Sequence, residues 1–324
     1  MSRITGVVGS FKSSLREKIL RNKLREGWVS VMLGTEGLAI AHIRRRTGER
    51  PEVLSLSVSE VTDDVTAILA YQAKALELKS CSCTLLLNPG QYQMLQIELP
   101  AVPDEEVKDA VRWSIKDMVD FPAELVSLDV AEIPDTTGRA GKARQGFAVV
   151  ADDALIAEKM ALFNTADARI EAIDIPEMAI RNVSALFEEP ERGLAMLTFD
   201  DERTTLTFTF RGELYAVRQI DISRSRLEQA DGDWRQQIFD RIGLETQRSL
   251  DNFERLHGHI SISRLLLSPL PGVAGLMQYL QEYLSLPVGE IDLAEVLDIT
   301  LVPELSQPGP QASYLKLIGA ALRE

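Results

Sequence analysis

Two short apolar runs with a glycine-bounded turn between them open the recognisable pattern of this chain. Residues 28–33 and 38–43 predict two strands, and the turn Gly34-Thr35-Glu36-Gly37 has a glycine at each end, where a hairpin needs positive φ. Alternation at residues 54–58 predicts a third strand. The pattern therefore favours a β-hairpin followed by another strand.

Longer periodic segments alternate with strands over the next 130 residues. After the breaker Pro100–Pro103, Asp104 is expected to cap a helix with an apolar stripe from Val107 to Met118, and Trp113 falls off that stripe by about 100°. The same criteria predict strands at 84–87, 94–99, 147–151 and 170–175, and helices at 62–78, 156–163 and 176–187.

A second hairpin opens the other half of the chain. Alternating residues 206–210, the turn Arg211-Gly212 and the return at 214–222 repeat the first motif. Beyond it, the pattern predicts helices at 233–257, 273–284 and 312–322 and a strand at 262–268. Two halves that open alike indicate two related α/β lobes.

Composition is compatible with two globular lobes. The 324 residues are 45% hydrophobic and 26% charged, and no apolar run reaches the length of a membrane-spanning helix. A secretory signal is not expected, because the N-terminus has no apolar core followed by a small-residue cleavage site. A disulfide framework is not expected either, because the chain has two cysteines, Cys81 and Cys83. We therefore expect a soluble intracellular α/β protein.

Charge divides the chain unevenly. The net charge is −14, which disfavours nucleic-acid binding, whereas residues 1–26 carry a net +5. Apolar residues recur among these cations at Val8, Phe11, Leu15, Ile19 and Leu24, as in a basic amphipathic helix. This segment could contact an anionic membrane surface, or it could be a frayed, solvated terminus.

No sequence motif for catalysis is present. His257-Gly-His259 lacks a third metal ligand at a matching spacing, and a solvated helix end is the favoured interpretation. Cys81 and Cys83 are expected to be buried thiols, because i and i+2 positions of a strand are too far apart for an easy disulfide. Arg44-Arg45-Arg46 fits a solvated strand end or a local anion contact. We assign no catalytic residue and no metal site.

Taken together, several segments resemble one family, the PilM-like actin-fold proteins of type IV pilus assembly, and most of all its MshI branch, which serves mannose-sensitive haemagglutinin (MSHA) pili. The resemblance covers nearly all of the chain from about residue 28, and it depends on the order and spacing of Val31–Ile43, Leu99–Asp129, Ile173–Ile175 with Arg181, Leu194–Ile222, Glu245–Leu250, Leu265–Leu276 and Leu317–Arg323.

The resemblance implies an actin-like (ASKHA) two-lobed α/β fold, PilM/FtsA-like, with an inserted subdomain in lobe one. Its boundaries would be a basic N-terminal segment 1–27, lobe one 28–187 with the insert at about 100–170, and lobe two 188–324, with the final helix 311–324 packing back on lobe one. It implies a cytoplasmic protein at the inner-membrane face of the pilus assembly platform. Its partner would be the N-terminal peptide of a PilN-like (MshJ-like) membrane protein, held between the first subdomain and the insert.

The nucleotide motifs of that family are altered here. Met32 stands where the family usually has an acidic residue that organises the water shell of the metal, and Ala39 stands at a usual lysine. A thioether is a poor ligand for Mg²⁺, which prefers oxygen. In the second hairpin the family's Asp-x-Gly falls on Thr198-Phe199-Asp200, so a carboxylate replaces the glycine that would approach phosphate.

Further along, Asp201 and Glu202 add negative charge, Ser223-Arg224 replaces a glycine pair, and Pro269 and Pro271 interrupt the adenosine loop. These changes together argue against phosphate chemistry. We commit to no cofactor, although ATP remains possible. If nucleotide binds, the resemblance points to Gly34, Thr35, Asp200, Asp201, Glu245, Ser268 and Gly272.

Two functions remain in competition. The first is a scaffold with a degenerate nucleotide cleft, for which Trp113 is a candidate partner contact, the alternative being that Trp113 packs within the insert. The second is an active actin-like ATPase with substituted ligands, such as Asp200 or Asp201 for metal and Glu245 for ribose.

Overall fold

A computed structural model describes residues 27–34, 37–60, 64–120, 122, 125–135 and 143–323. Its strands are β1 Trp28–Leu33, β2 Leu38–Arg44, β3 Glu52–Ser59, β4 Ser82–Leu86, β5 Gln93–Glu98, β6 Val126–Ile133, β7 Gln145–Asp152, β8 Ile170–Asp174, β9 Gly193–Phe199, β10 Thr204–Phe210, β11 Glu213–Ile220, β12 Ile262–Leu267 and β13 Val288–Glu290. Its helices are α1 Val65–Ala75, α2 Val107–Ser114, α3 Asp153–Thr165, α4 Pro176–Phe187, α5 Arg224–Gln229, α6 Gly232–His257, α7 Leu276–Tyr283 and α8 Pro308–Ala321.

The strands form three sheets, two of which share one plan. Sheet one has the order β3-β2-β1-β4-β8, and sheet two has the order β11-β10-β9-β12-β13. In sheet one, β1 pairs antiparallel with β2 and parallel with β4. In sheet two, β9 pairs in the same way with β10 and β12. Sheet three, with the order β5-β7-β6, is antiparallel and lies in the sequence between β4 and β8. The predicted repetition of the opening motif is therefore a repeated sheet topology.

Sheet two is covered on both faces. Every residue of β9 and β10 is buried, whereas the edge strand β11 is exposed at several positions. Because both faces are buried, these strands consist of apolar residues and threonines instead of the alternation of a half-exposed strand. On one face, Phe253 of α6 stacks on Phe208 with ring centroids 4.7 Å apart.

The last helix, α8, crosses α4 and lies on sheet one. The Ser30 hydroxyl donates to the carbonyl oxygen of Leu317 at 2.5 Å, and the Asn182 amide donates to the carbonyl oxygen of Gly319 at 2.9 Å. The two helix backbones approach so closely that a Cβ on Gly319 would lie 2.1 Å from the Ala179 carbonyl oxygen. A segment that follows sheet two in sequence is thus anchored against sheet one.

Three elements were not predicted from the sequence: β6, α5 and β13. The helix after Pro103 is also shorter than expected, since α2 ends at Ser114 and leaves Met118 exposed. The expected Asp104 cap is wrong. Asp104 lies inside a 3-10 turn, and its carboxylate pairs with Arg144 at 3.0 Å. A nearby cation competes with the helix N-terminus for the same carboxylate.

The first arginine of the run at the end of β2, Arg44, is not solvated as expected. Arg44 is buried and forms an ion pair with Glu52 of β3. Arg45 donates to the carbonyl oxygen of Leu322 at 2.6 Å. Strand pairing brings Glu52 opposite Arg44, a contact that the local sequence does not indicate.

Two expectations lie outside the described residues: the basic segment 1–26 and the candidate nucleotide contact Thr35. Within the described ranges, no helix combines the length and the apolar character needed to cross a membrane.

Candidate interlobe site

Sheets two and three, together with the helices α4 and α8 that pack on sheet one, enclose a cavity of about 440 Å³. Tyr92 and strand β5 form one side, the start of α4 forms another, and sheet two contributes Thr198, Thr205 and Thr207 from β9 and β10. Lys316 of α8 also lines the cavity. We refer to this space as the interlobe cavity, because every major sheet or its flanking helices contribute to its wall.

At the cavity wall, Asp200 and Lys316 form an ion pair. Asp200 lies in the turn between β9 and β10, where its N–H donates to the Arg203 carbonyl oxygen at 2.9 Å. Its own carbonyl oxygen accepts from the Arg224 N–H at 2.6 Å. The backbone therefore holds the Asp200 carboxylate where the lysine of α8 can meet it.

The two acidic residues that follow Asp200 are also paired with cations. Asp201 pairs with Arg224 at 2.6 Å, and Glu202 pairs with Arg203 at 3.1 Å. The negative turn expected from the sequence is thus largely neutralised by side chains of this chain.

On the opposite wall, the Tyr92 hydroxyl donates to the buried Glu177 carboxylate at 2.6 Å. Glu177 lies in the first turn of α4, where the helix dipole favours a negative charge. Burial, together with the charge of Glu177, raises the pKa of Tyr92 well above its usual value. Tyr92 therefore stays a hydrogen-bond donor across the physiological range.

The first hairpin offers the cavity no polar side chain from its strands. Met32 and Ala39 are direct partners across β1 and β2, and both pack against the apolar core that contains α8. The Gly34 N–H donates to the Gly37 carbonyl oxygen at 2.8 Å, which closes the base of the turn. The altered family positions therefore serve packing between sheet one and the last helix.

Of the described residues that were proposed to bind a nucleotide, Asp200 lines the interlobe cavity. The others do not line it: Gly34, Asp201, Glu245, Ser268 and Gly272. Ser268 is buried, and its N–H donates to the Leu197 carbonyl oxygen at 2.8 Å. Gly272 has φ +93° and open space where a side chain would be.

Glu245 lines a different cavity, of about 370 Å³, between α6 and β11. Arg218 contacts its carboxylate at 2.9 Å and Arg248 at 3.2 Å. The hydrogen bond from Arg218, with both positive charges, lowers the pKa of Glu245. This carboxylate is therefore an internal ion-pair partner in the structure.

His257 and the two cysteines are packed against other side chains of the protein. His257 packs against the rings of Tyr215 and Phe253. Among the described residues, no group of three or more His, Cys, Asp or Glu side chains could hold a metal ion. Both cysteines are buried free thiols, as predicted, and burial raises the pKa of Cys83 to about 12, which makes it a poor nucleophile.

A third concave surface, of about 720 Å³, lies between α1 and the end of α3. Its walls include the small side chains Ala70, Ala73 and Ala166, and the ion pair of Lys79 with Asp167, at 2.9 Å, spans it. We call it the α1–α3 groove. Trp113 is 70% exposed on α2 and lines neither this groove nor the two cavities.

Sequence reasoning missed Tyr92, Glu177 and Lys316. One signal was available, since Lys316 is the single charge in the otherwise apolar stretch 314–322 of the last helix. A lone lysine there needs a partner, because an unpaired charge is costly to bury. Its partner is 116 residues away, and no sequence pattern indicates it.

The two similar sheets, the inserted sheet three and the cleft between them define an actin-like, ATPase-type two-lobed fold. No family model matches the chain, and no curated protein matches it in sequence. Among solved structures it is similar to the PilM–PilN type IV pilus biogenesis complex, with 21% identity, a TM-score of 0.69, and coverage of 92% of this chain and 98% of that one.

Weaker similarities exist as well. A protein of actin-like ATPase fold and unknown function from Bacteroides thetaiotaomicron has 12% identity and a TM-score of 0.49, covering 88% of this chain and 98% of that one. The cytoplasmic domain of EpsL, from the type II secretion system of Vibrio cholerae, has 12% identity and a TM-score of 0.45, covering 80% and 94%.

Proposed function

We propose that this chain is a PilM-like scaffold of a type IV pilus assembly platform, at the cytoplasmic face of the inner membrane. The observation that carries the proposal is the likeness to the PilM–PilN complex, which extends over 98% of that chain and leaves no large region of it unmatched. The partner would be the N-terminal peptide of a PilN-like protein. The finer assignment, to an MSHA system with an MshI-like scaffold and an MshJ-like partner, follows from the sequence resemblance.

We further propose that sheet one with α8 forms lobe one, that sheet two forms lobe two, and that sheet three with α2 and α3 is the insert. Ile133 and Phe147 of sheet three share the apolar core of sheet two, which supports an insert packed against lobe two. Such an insert would be a rigid part of the platform.

The peptide would bind in the α1–α3 groove, between the first subdomain and the insert. Small side chains on both walls leave room for the apolar side chains of an extended peptide, which is a common mode of peptide recognition. Lys74, Glu77, Lys79 and Asp167 also line the groove and provide charges of both signs that would orient the peptide.

A pair of neighbouring substitutions on α1 tests this site. Ala70→Arg fills the groove, whereas Tyr71→Arg changes a residue that is 72% exposed and does not line the groove. We expect Ala70→Arg to weaken binding of PilN-like N-terminal peptides at least tenfold in fluorescence anisotropy, and Tyr71→Arg to leave it unchanged. Equal affinities for both variants would exclude the groove. If no such peptide binds the wild-type chain, the proposed function is wrong.

Trp113 remains the other proposed contact. Trp113→Ala removes a large exposed ring, and exposed aromatic residues are enriched in binding hot spots. A loss of peptide affinity in Trp113→Ala, with none in Ala70→Arg, would move the partner site from the groove to α2.

The scaffold would act without ATP hydrolysis. The pairing of Asp200 with Lys316, of Asp201 with Arg224 and of Glu245 with two arginines supports this proposal, because each carboxylate that the alternative ATPase needs already has a cation. A metal ion would have to displace those cations. Calorimetry with Mg-ATP distinguishes the two functions: tight binding, with turnover abolished in Asp200→Ala, would favour the ATPase.

A further inference from the structure

The last helix is attached to lobe one along most of its length. Leu317 and Gly319 accept hydrogen bonds from Ser30 and Asn182, and Leu322 accepts one from Arg45. The close backbone approach of Gly319 to Ala179 leaves no space for the helix to slide over α4. The backbone of α8 is thus part of the rigid body that contains sheet one.

One charged side chain of this helix also reaches the other lobe, whose strands β9 and β12 share an apolar core with α8 and α4. Lys316 forms its ion pair with Asp200, in the turn between two strands of sheet two. Both side chains are largely buried, with exposures of 19% for Lys316 and 20% for Asp200. The pair is therefore less screened by water than a surface ion pair.

The surroundings give neither member of the pair an equivalent partner. The other cation at this wall, Arg203, is engaged by Gln219 at 2.7 Å and by Glu202. The other buried carboxylate, Glu177, accepts from Tyr92. The remaining carboxylate of the wall, Asp120, accepts from the Gln93 amide. Separating the lobes would thus move Lys316 and Asp200 apart while the other charged groups of the wall already have partners, and leaving a buried charge unpaired costs free energy.

We propose that the Lys316–Asp200 ion pair is a built-in latch, which holds the two lobes closed over the interlobe cavity without a bound ligand. A protein that relies on a ligand to join its lobes opens when the ligand leaves. A tethered ammonium group is present at all times, and its effective concentration depends on the fold alone. The latch would keep the surfaces of both lobes in one constant arrangement.

A neighbouring ion pair provides a matched control. Arg224 and Asp201 lie at the same turn of sheet two, but both belong to the sheet-two half of the chain and join no other lobe. Lys316→Met and Arg224→Met each remove one positive charge and keep much of the apolar stem. Comparing them separates loss of the latch from loss of a charge at this turn.

The lobe separation can be measured by pulsed electron paramagnetic resonance. Spin labels on Tyr71→Cys of α1 and Glu254→Cys of α6 place one probe on each lobe at exposed positions. Cys81 and Cys83 are buried, and burial raises their pKa, so they react slowly with labelling reagents.

We expect Lys316→Met and Asp200→Asn to broaden the distance distribution and to raise the open fraction about tenfold, as suits a largely buried pair. The double variant should be no more open than either single variant, because all three lack the same contact. Arg224→Met should match the wild type. A Lys316→Met distribution that superposes on that of the wild type, or an equal change in Arg224→Met, overturns the latch. Peptide affinity is not the readout, so this result is independent of the proposed partner.

Discussion

The close crossing of α4 and α8 predicts that a side chain at Gly319 destabilises the fold. A Cβ on this residue would lie 2.1 Å from the carbonyl oxygen of Ala179 and 2.6 Å from its carbonyl carbon. Contact between carbon and oxygen normally begins above 3 Å, so the overlap is about 1 Å. The obstacle is helix backbone and cannot rotate away, so the two helices must separate and weaken the seam between them.

We expect Gly319→Ala to lower the free energy of unfolding by about 3 kcal/mol, the upper range for overpacking a core. With a urea dependence of about 3 kcal/mol per molar, the unfolding midpoint should fall by about 1 M. The helix propensity of alanine acts in the opposite direction and recovers at most about 1 kcal/mol. Equilibrium urea denaturation followed by far-UV circular dichroism measures the shift.

Gly309→Ala is the matched control, at the other end of the same helix. Apart from its chain neighbours and the nearby backbone of its own helix, no atom lies within 4 Å of the position that its Cβ would occupy. Alanine there should leave the midpoint close to that of the wild type, because its higher helix propensity is offset by Pro310, which disfavours helical backbone at the residue before it. If Gly319→Ala unfolds at the wild-type midpoint, the close approach of the two helices is wrong.

Two further substitutions test local features of the structure. Since Arg218 and Arg248 lower the pKa of Glu245 below its ordinary value of 4.5, the ionised carboxylate stabilises the fold above that pH, and this contribution disappears as the pH falls through the lowered pKa. Urea midpoints of Glu245→Gln should therefore be below wild type at pH 7 and converge with it as the pH falls through the lowered pKa, and a constant difference would contradict the ion-pair explanation. Asp64 caps α1 by accepting from the Ala67 N–H at 3.0 Å, so Asp64→Ala should cost about 1 kcal/mol and speed amide exchange in the first turn of α1, with unchanged exchange as the contrary result.

Local sequence patterns predict many of the strands and helices of this fold. The glycine-bounded turn after β1, the alternation of β10 and the periodicity of α4 predict their elements because each depends on contacts between near neighbours. The actin-like fold also followed from the order of these segments, through the family they resemble. By contrast, β6 was missed because its exposed and buried residues do not alternate, and Asp104 was misassigned because Arg144, 40 residues away, binds it.

The candidate site was less accessible from sequence. The sequence identified Asp200 and the altered phosphate loops as important, and it named Asp200 and Glu245 among the residues that would bind a nucleotide if one binds. Tertiary structure instead separates Glu245 from Asp200, places them at different cavities, and brings Lys316 to Asp200. Local sequence determines which segments become strands and helices, since those depend on neighbouring residues. Which charges meet across 116 residues depends on how the finished lobes pack, and only the folded structure decides that.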